Sequence, residues 1–230
     1  MEKFLQREKN VDFYSNHISG YVSPTGEIFV SDPFRLWLKR VMDVSLSLIS
    51  IVFVLSWLFP IIAFAIMLSS PGPVLFKQRR HGKNNKVFYC YKFRTMRVNE
   101  DADIRQATKK DPRVTQVGRF LRRSSLDELP QLINVLKNEM SLIGPRPHAV
   151  PMNLVFSKEI ENYFFRHSVK PGITGLAQSK GYRGEIEHFH DIYGRVKLDL
   201  FYIKNWCVWL DVKIIFWTMQ SVLSRKIKAY

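Results

Sequence analysis

RFLRRSSLDELPQLINVLKNEMSLIGPRP, residues 119–147, carries the densest chemistry of this 230-residue chain. Leu126, Leu129, Leu132, Ile133, Leu136 and Met140 recur at helical spacing, which predicts an amphipathic helix through its middle. Pro130 has no N–H and fits only the first turn, so the helix should start near Ser125 to Asp127. Asp127 and Glu128 then lie at the positive end of the helix, where free N–H groups also suit phosphate oxygens. Gly144-Pro145-Arg146-Pro147 closes the helix, with a proline on each side of Arg146. Ser125-x-x-Glu128 is also a capping box, and an acidic first turn is common in helices without a site. Capping requires none of the surrounding arginines. Two adjacent carboxylates ringed by guanidiniums suit phosphoryl chemistry better than a sugar-only site.

Upstream, Pro73 to Met96 reads as a β-hairpin. Val74 and Phe76 alternate before HGKNNK, and Val87, Tyr89, Tyr91 and Phe93 alternate with Phe88, Cys90, Lys92 and Arg94 after it. Lys92 and Arg94 share one face of the second strand, which taken alone is a solvated basic face. Val44 to Ser70 has no charge, and its length and apolarity favour a membrane segment over a buried soluble helix. As one straight helix its 27 residues reach about 40 Å, more than the ~30 Å hydrocarbon core, which permits a tilted span. Pro60 divides it into arms closer to one leaflet each. Basic residues on both flanks, from Arg35 to Arg40 and from Lys77 to Lys83, favour both ends on the cytoplasmic side. Spanning and re-entrant arrangements both stay open at this level. Asp43 is placed to pair with Lys39 one turn back.

Downstream, Phe156 to Phe165 reads as helical. KPGITG, residues 170–175, reads as a tight glycine turn in which Lys170 offers a point charge to a phosphate or nucleotide. An ordinary surface turn has the same pattern. Gly181-Tyr182-Arg183-Gly184 is a weaker candidate for substrate contact. In the last thirty residues, Val212, Ile215, Phe216, Met219, Val222 and Leu223 form a helical stripe expected to pack on the core. Trp206, Trp209, Trp217 and the basic RKIK tail suit a headgroup belt and anionic lipid. Cys90 and Cys207 lack metal or disulfide spacing, and His188 and His190 lack a third ligand.

Net charge is +15. Between Lys77 and Arg123 there are 15 Lys/Arg against 4 Asp/Glu, so 15 − 4 = +11 falls on this segment, which should meet polyanions. Nucleic acid is one candidate. An aromatic-interleaved RNA motif and a clear helix-turn-helix are both missing, so nucleic acid is not the expected partner. The chain divides into a polar extension (1–34), an anchor (35–72) and a catalytic domain with an interfacial C-terminal helix (73–230).

SLDELPQLINVLKNEMSLIGPRP resembles the signature of the bacterial sugar transferases, the monotopic polyprenyl-phosphate phosphoglycosyl transferases. The similarity continues in Lys39-Arg40-x-x-Asp43, GPVLFKQRRHG, Tyr91-Lys92-Phe93-Arg94-Thr95-Met96 and Lys170-Pro171-Gly172-Ile173-Thr174-Gly175. The resemblance implies an α+β, predominantly helical fold with a re-entrant helical hairpin on the cytoplasmic face of a bacterial inner membrane. It implies transfer of a sugar-1-phosphate, a hexose by the C-terminal likeness, from a UDP-sugar to polyprenyl phosphate with release of UMP. Asp127 would be the nucleophile and Glu128 the Mg²⁺ ligand. Arg122 and Arg146 would clamp phosphate oxygens bidentately, with Lys92, Arg94 and Lys170 as further phosphate contacts. An inactive scaffold for other glycan-assembly enzymes is the alternative that these intact residues argue against.

Overall fold

The computed structural model describes residues 32–99, 108, 111–184, 186 and 189–223. The segment 1–31, most of 100–110, His188, the side chains of Val222 and Leu223, and the basic tail lie outside the described residues. Helix α1 (Pro33–Ser50) begins at Asp32, whose carboxylate accepts from the Phe34 N–H at 3.0 Å. One wide turn, Ile51–Leu55, joins it to α2 (Ser56–Ser69). Together they form a 37-residue helical run, about 55 Å long at 1.5 Å per residue. The sequence suggested two arms divided at Pro60, but no loop interrupts the run. An internal proline removes one hydrogen bond, here to Ser56, and bends a helix more readily than it ends one.

The run is long and apolar enough to cross a membrane, and only 22% of its most apolar window is buried. Phe53, Trp57, Ile61, Phe64 and Leu68 point outward, whereas Leu55, Ile62 and Ile66 pack on Phe93 and Leu121. That uncovered surface is not the surface of a core helix.

Both ends of the run are fastened to the body of the protein. Lys39 donates to Asp211 at 2.7 Å and to the Ile143 carbonyl at 3.1 Å. Asp43 accepts from the Leu142 N–H at 2.9 Å, so the expected Lys39–Asp43 pair does not form. Arg40 forks onto the Val135 and Leu136 carbonyls, at 2.7 and 3.1 Å. At the other end Arg94 donates to the Ser70 and Pro71 carbonyls, both at 2.6 Å. Carbonyls past a helix end have no intrahelical donor, and a buried guanidinium satisfies two at once.

Strands β1 (Leu75–His81) and β2 (Val87–Phe93) pair antiparallel, from Leu75 opposite Phe93 to His81 opposite Val87. Phe88 and Cys90 turn inward, Tyr89 is exposed, and Lys92 continues the inward side. The basic face is therefore not solvated. Helix α3 (Gln116–Ser124) ends at Ser125, which takes the left-handed conformation (φ 61°). A 3₁₀ turn, Leu126–Glu128, and a short helix α4 (Gln131–Leu136) follow, with Pro130 at the N-cap of α4.

The long helix expected from Leu126 to Met140 is thus a turn, six helical residues and a reversal at left-handed Asn138. Strand β3 (Ser141–Ile143) then pairs parallel with β4 (Gly172–Thr174). Apolar spacing misled here because Met140 keeps the helical count but is buried as a loop residue after the reversal, against Phe88, Cys90 and Val135.

The remaining helices are α5 (Val150–Glu159), α6 (Leu176–Ser179), α7 (Phe189–Lys204) and α8 (Val208–Leu223). The helix expected over 156–165 breaks after Glu159, and a 3₁₀ turn, Tyr163–His167, follows. In α8 Asp211 and Ile214 are buried, while Val212, Phe216 and Met219 are exposed. Of the described stripe residues only Ile215 packs on the core, and the other three face outward. A helix apolar on several sides does not announce which side is covered.

Gly172 fits no phosphate cradle. A Cβ there would lie 2.1 Å from the Gly144 nitrogen, and one on Gly175 would lie 2.2 Å from the Gly144 oxygen. The glycines let β3 and β4 carry the Gly144-Pro145-Arg146 turn between them. Gly172→Ala should destabilise the protein by about 3 kcal/mol or more, because backbone cannot yield as a side chain can. Thermal unfolding in detergent checks this: an unchanged midpoint with only a raised donor KM would restore the cradle reading.

Candidate active site

Glu128 ends the 3₁₀ turn and is 5% exposed. Arg146 grips it as a fork, Nη2 to Oε1 at 2.6 Å and Nη1 to Oε2 at 3.2 Å. Lys92 Nζ donates to Oε1 at 2.7 Å and Arg183 Nη2 to Oε2 at 3.2 Å. Four donors fill the roughly four acceptor positions of a carboxylate. Burial opposes the ionised form, but Arg146, Lys92 and Arg183 outweigh it and hold the carboxyl well below the usual glutamate range. The capping box does not form: among the described residues Ser125 Oγ has no partner, and Glu128 spends its oxygens on cations.

Asp127, one residue earlier, is equally buried and differently placed. Among the described residues no hydrogen bond or ion pair reaches its carboxylate. Burial pushes its pKa up, the neighbouring Glu128 adds to this, and Lys92, Arg122 and Arg146 act against it. Two adjacent carboxylates are thereby driven apart: one is locked as an anion, and the other is left without a partner beside three cations.

Each cation is positioned by its own segment. Asn134 of α4 is fully buried, accepts from the Tyr91 N–H at 3.0 Å and donates to the Tyr89 carbonyl at 2.7 Å. It thus stitches the helix after Glu128 to the strand bearing Lys92. Arg122 donates through Nε to Thr95 Oγ1 at 2.9 Å, and Thr95 also packs under Gly118 at the start of α3. Arg146 rides on the turn that follows β3. Its carbonyl accepts from Arg166 Nη2 at 2.8 Å, and Arg80 Nη1 donates to the Pro147 carbonyl beside it.

Asp127, Glu128, Lys92, Arg122 and Arg146 therefore converge as expected. Arg94 and Lys170 do not join them. Arg94 closes the end of α2, as described above. Lys170 donates to Asn138 Oδ1, and its charged surroundings are Arg40, Asp43, Lys83 and Lys39. Arg183, weakly signalled in the sequence, does reach the site. Arg80, hidden in the QRRHG run, lies in the electrostatic range of both carboxylates.

A sequence profile of the bacterial sugar transferases matches residues 34–225. The chain belongs to that family. Over 183 residues, 79% of the chain, it is 52% identical to the UDP-glucose:undecaprenyl-phosphate glucose-1-phosphate transferase of Escherichia coli (strain K12), of which it spans 39%. Over 167 residues, 72% of the chain, it is 53% identical to the transferase of the same name from Xanthomonas campestris pv. campestris, of which it spans 34%. An exopolysaccharide production protein of Rhizobium leguminosarum bv. phaseoli is 44% identical over 195 residues, which cover 83% of the chain and 97% of that protein.

The two carboxylates make opposite predictions for stability. Glu128, depressed in the folded state, contributes stability above the usual glutamate range that is lost as pH falls through its folded pKa. Asp127, raised, costs stability as pH climbs through and above the usual aspartate range. Glu128→Gln should therefore destabilise the protein at neutral pH by about 3–5 kcal/mol, since it leaves buried cations unpaired. Asp127→Asn should raise the thermal midpoint. A fall on Asp127→Asn as large as on Glu128→Gln would mean that both carboxylates are structural.

Proposed function

We propose that the chain transfers a sugar-1-phosphate from a UDP-sugar to undecaprenyl phosphate, and that Asp127 carries the group between them. The observation that supports this most is the contrast within the pair. Asp127 is a buried carboxylate without a hydrogen-bond partner among the described residues, flanked by Lys92, Arg122 and Arg146. The names of the E. coli and Xanthomonas relatives support the same donor class and acceptor and point to glucose as the sugar.

The difficulty of the reaction is repulsion between an anionic nucleophile and an anionic diphosphate. Preorganised cations remove it. An Asp127 carboxylate oxygen attacks the phosphorus that bears the sugar. The bond from that phosphorus to the bridging oxygen breaks, and UMP leaves with the electron pair. The product on the enzyme is a mixed anhydride of Asp127 and the sugar phosphate. An oxygen of the lipid phosphate then attacks the same phosphorus, the bond to Asp127 breaks, and the carboxylate returns. Arg122 and Arg146 hold the non-bridging oxygens, with Lys92 beside them.

Mg²⁺ fits this site as a shared ion. Among the described residues no cluster of three or more His, Cys, Asp or Glu could cage a metal. Mg²⁺ commonly uses one or two carboxylates and completes its shell with phosphate oxygens and water. Glu128 would hold it by releasing a cation, and Arg183 makes the longest single contact, at 3.2 Å. The ion would neutralise diphosphate charge.

The 37-residue helical run would enter and leave the bilayer on one side. Lys39 and Asp43 near its start and Ser70 just after its end are tied to the same body, which favours a bent, re-entrant anchor over a span. The exposed Trp209, Val212, Phe216 and Met219 of α8 suit the headgroup boundary on that side, the cytoplasmic face of the inner membrane. The Rhizobium relative's name supports exopolysaccharide assembly as the destination of the product.

Without acceptor, UDP-[¹⁴C]glucose should release about one equivalent of UMP and leave hydroxylamine-labile label on the protein, as an acyl phosphate does. Asp127→Asn should neither label nor turn over while remaining folded in membranes. Label on Asp127→Asn, or transfer to undecaprenyl phosphate without a labelled enzyme, removes the covalent step. EDTA should abolish turnover, and activity undiminished by EDTA removes Mg²⁺.

A further inference from the structure

Behind the clamp lies a second polar cluster that the reaction does not touch. Arg166, 1% exposed, pairs with Asp199 through Nε at 3.1 Å and Nη2 at 2.5 Å. The same Nη2 donates to the Arg146 carbonyl, while Nη1 lies 2.9 Å from His148 Nδ1 and 3.2 Å from the Tyr163 hydroxyl. Across the imidazole, Arg195 Nη1 lies 3.3 Å from His148 Nε2, and Arg195 Nη2 donates to the Gly184 carbonyl at 3.1 Å. Gly184 is the residue after Arg183. One buried ring thus meets both arginines that hold the two backbones bearing Glu128's guanidinium partners.

Both ring nitrogens face arginine, which has only donors: Arg166 Nη1 at Nδ1 and Arg195 Nη1 at Nε2. The Tyr163 hydroxyl, which donates to Asn153 Oδ1 at 2.7 Å, lies 2.7 Å from Nδ1. A charged imidazole would set N–H against N–H on both sides. Burial, with Arg166 and Arg195 alongside, holds the ring neutral.

We infer that Arg166, His148 and Arg195 are positioning residues, a single hub that keeps the Arg146 turn and the Arg183 loop in register. Both guanidiniums then meet the donor diphosphate together. The inference rests on the sugar-phosphate reading of the site and deepens it by tying clamp geometry to residues that touch no substrate.

The test uses the full chain with UDP-glucose and undecaprenyl phosphate. Arg183→Ala and Arg195→Lys should each lower kcat/KM for the donor about tenfold. The double variant should fall no further than Arg183→Ala, because Arg195 acts through the Arg183 loop. Lysine keeps the charge but cannot reach both His148 and Gly184. Arg195→Lys should also speed tryptic cleavage after Arg183 several-fold at an unchanged thermal midpoint, with the cut site read by mass spectrometry. Effects that multiply in the double variant, or an unchanged cleavage rate, overturn the hub. Should Arg195→Lys fail to fold, His148→Asn removes the ring nitrogen facing Arg195 and carries the same comparison. If the wild type transfers no sugar phosphate from any UDP-sugar, the functional reading fails and the cleavage rate alone decides the hub.

Discussion

A buried glutamate is the condition that the other elements meet. An ionised carboxylate away from water costs several kcal/mol unless partners surround it, and Glu128 draws them from three separate segments. Lys92 comes from the inward side of β2, Arg146 from the turn that follows β3, and Arg183 from the loop before α7. Each segment has its own fastening: Asn134 to the strand, Arg166 to the turn, Arg195 to the loop. The ion cluster and the fold are therefore one problem. If any of the three segments moves, Glu128 is left under-paired in a place that water reaches poorly.

The same arrangement produces its functional asymmetry. Because Glu128 takes the cations' direct hydrogen bonds, Asp127 keeps their field without their contacts. A carboxylate tied into salt bridges is a poor nucleophile. One that is desolvated and unpaired, yet close to positive charge, can approach a phosphorus as the phosphate oxygens take over the cations. Adjacent carboxylates with pKa values pushed in opposite directions are a recognisable way to divide two roles. The apolar run is tied to the same place, since Asp43 and Lys39 grip β3, the strand that leads into the Arg146 turn. In the proposed reading of that run as a membrane anchor, its seating and the clamp geometry share one strand.

Much of this was legible in the sequence, and the misses have physical causes. The 119–147 stretch located the carboxylates and Arg146, because a charged pair, a helix-start proline and a proline-locked arginine are local signals. The hairpin and the apolar anchor were legible from periodicity and length. The extent of the helix after Pro130 was not, since Met140 serves a loop while keeping a helical count. Arg94 and Lys170 looked like phosphate contacts because sequence shows a charge but not what it faces. One meets helix-end carbonyls and the other an asparagine. Arg183, which the Gly181–Gly184 run signalled only weakly, and Arg195 behind it come from far along the chain, and spacing does not show what either one meets. The paired glycines at 144 and 172 were visible as glycines, but the backbone crossing that needs them was not.

The central claim is that the two carboxylates stand in opposite electrostatic states before any substrate arrives. ¹³C NMR of the side-chain carboxyls, assigned through Asp127→Asn and Glu128→Gln and followed across pH in detergent, measures this directly. The account predicts that Asp127 titrates above the ordinary aspartate range and Glu128 below the ordinary glutamate range. A Glu128 signal that titrates above Asp127 would contradict it.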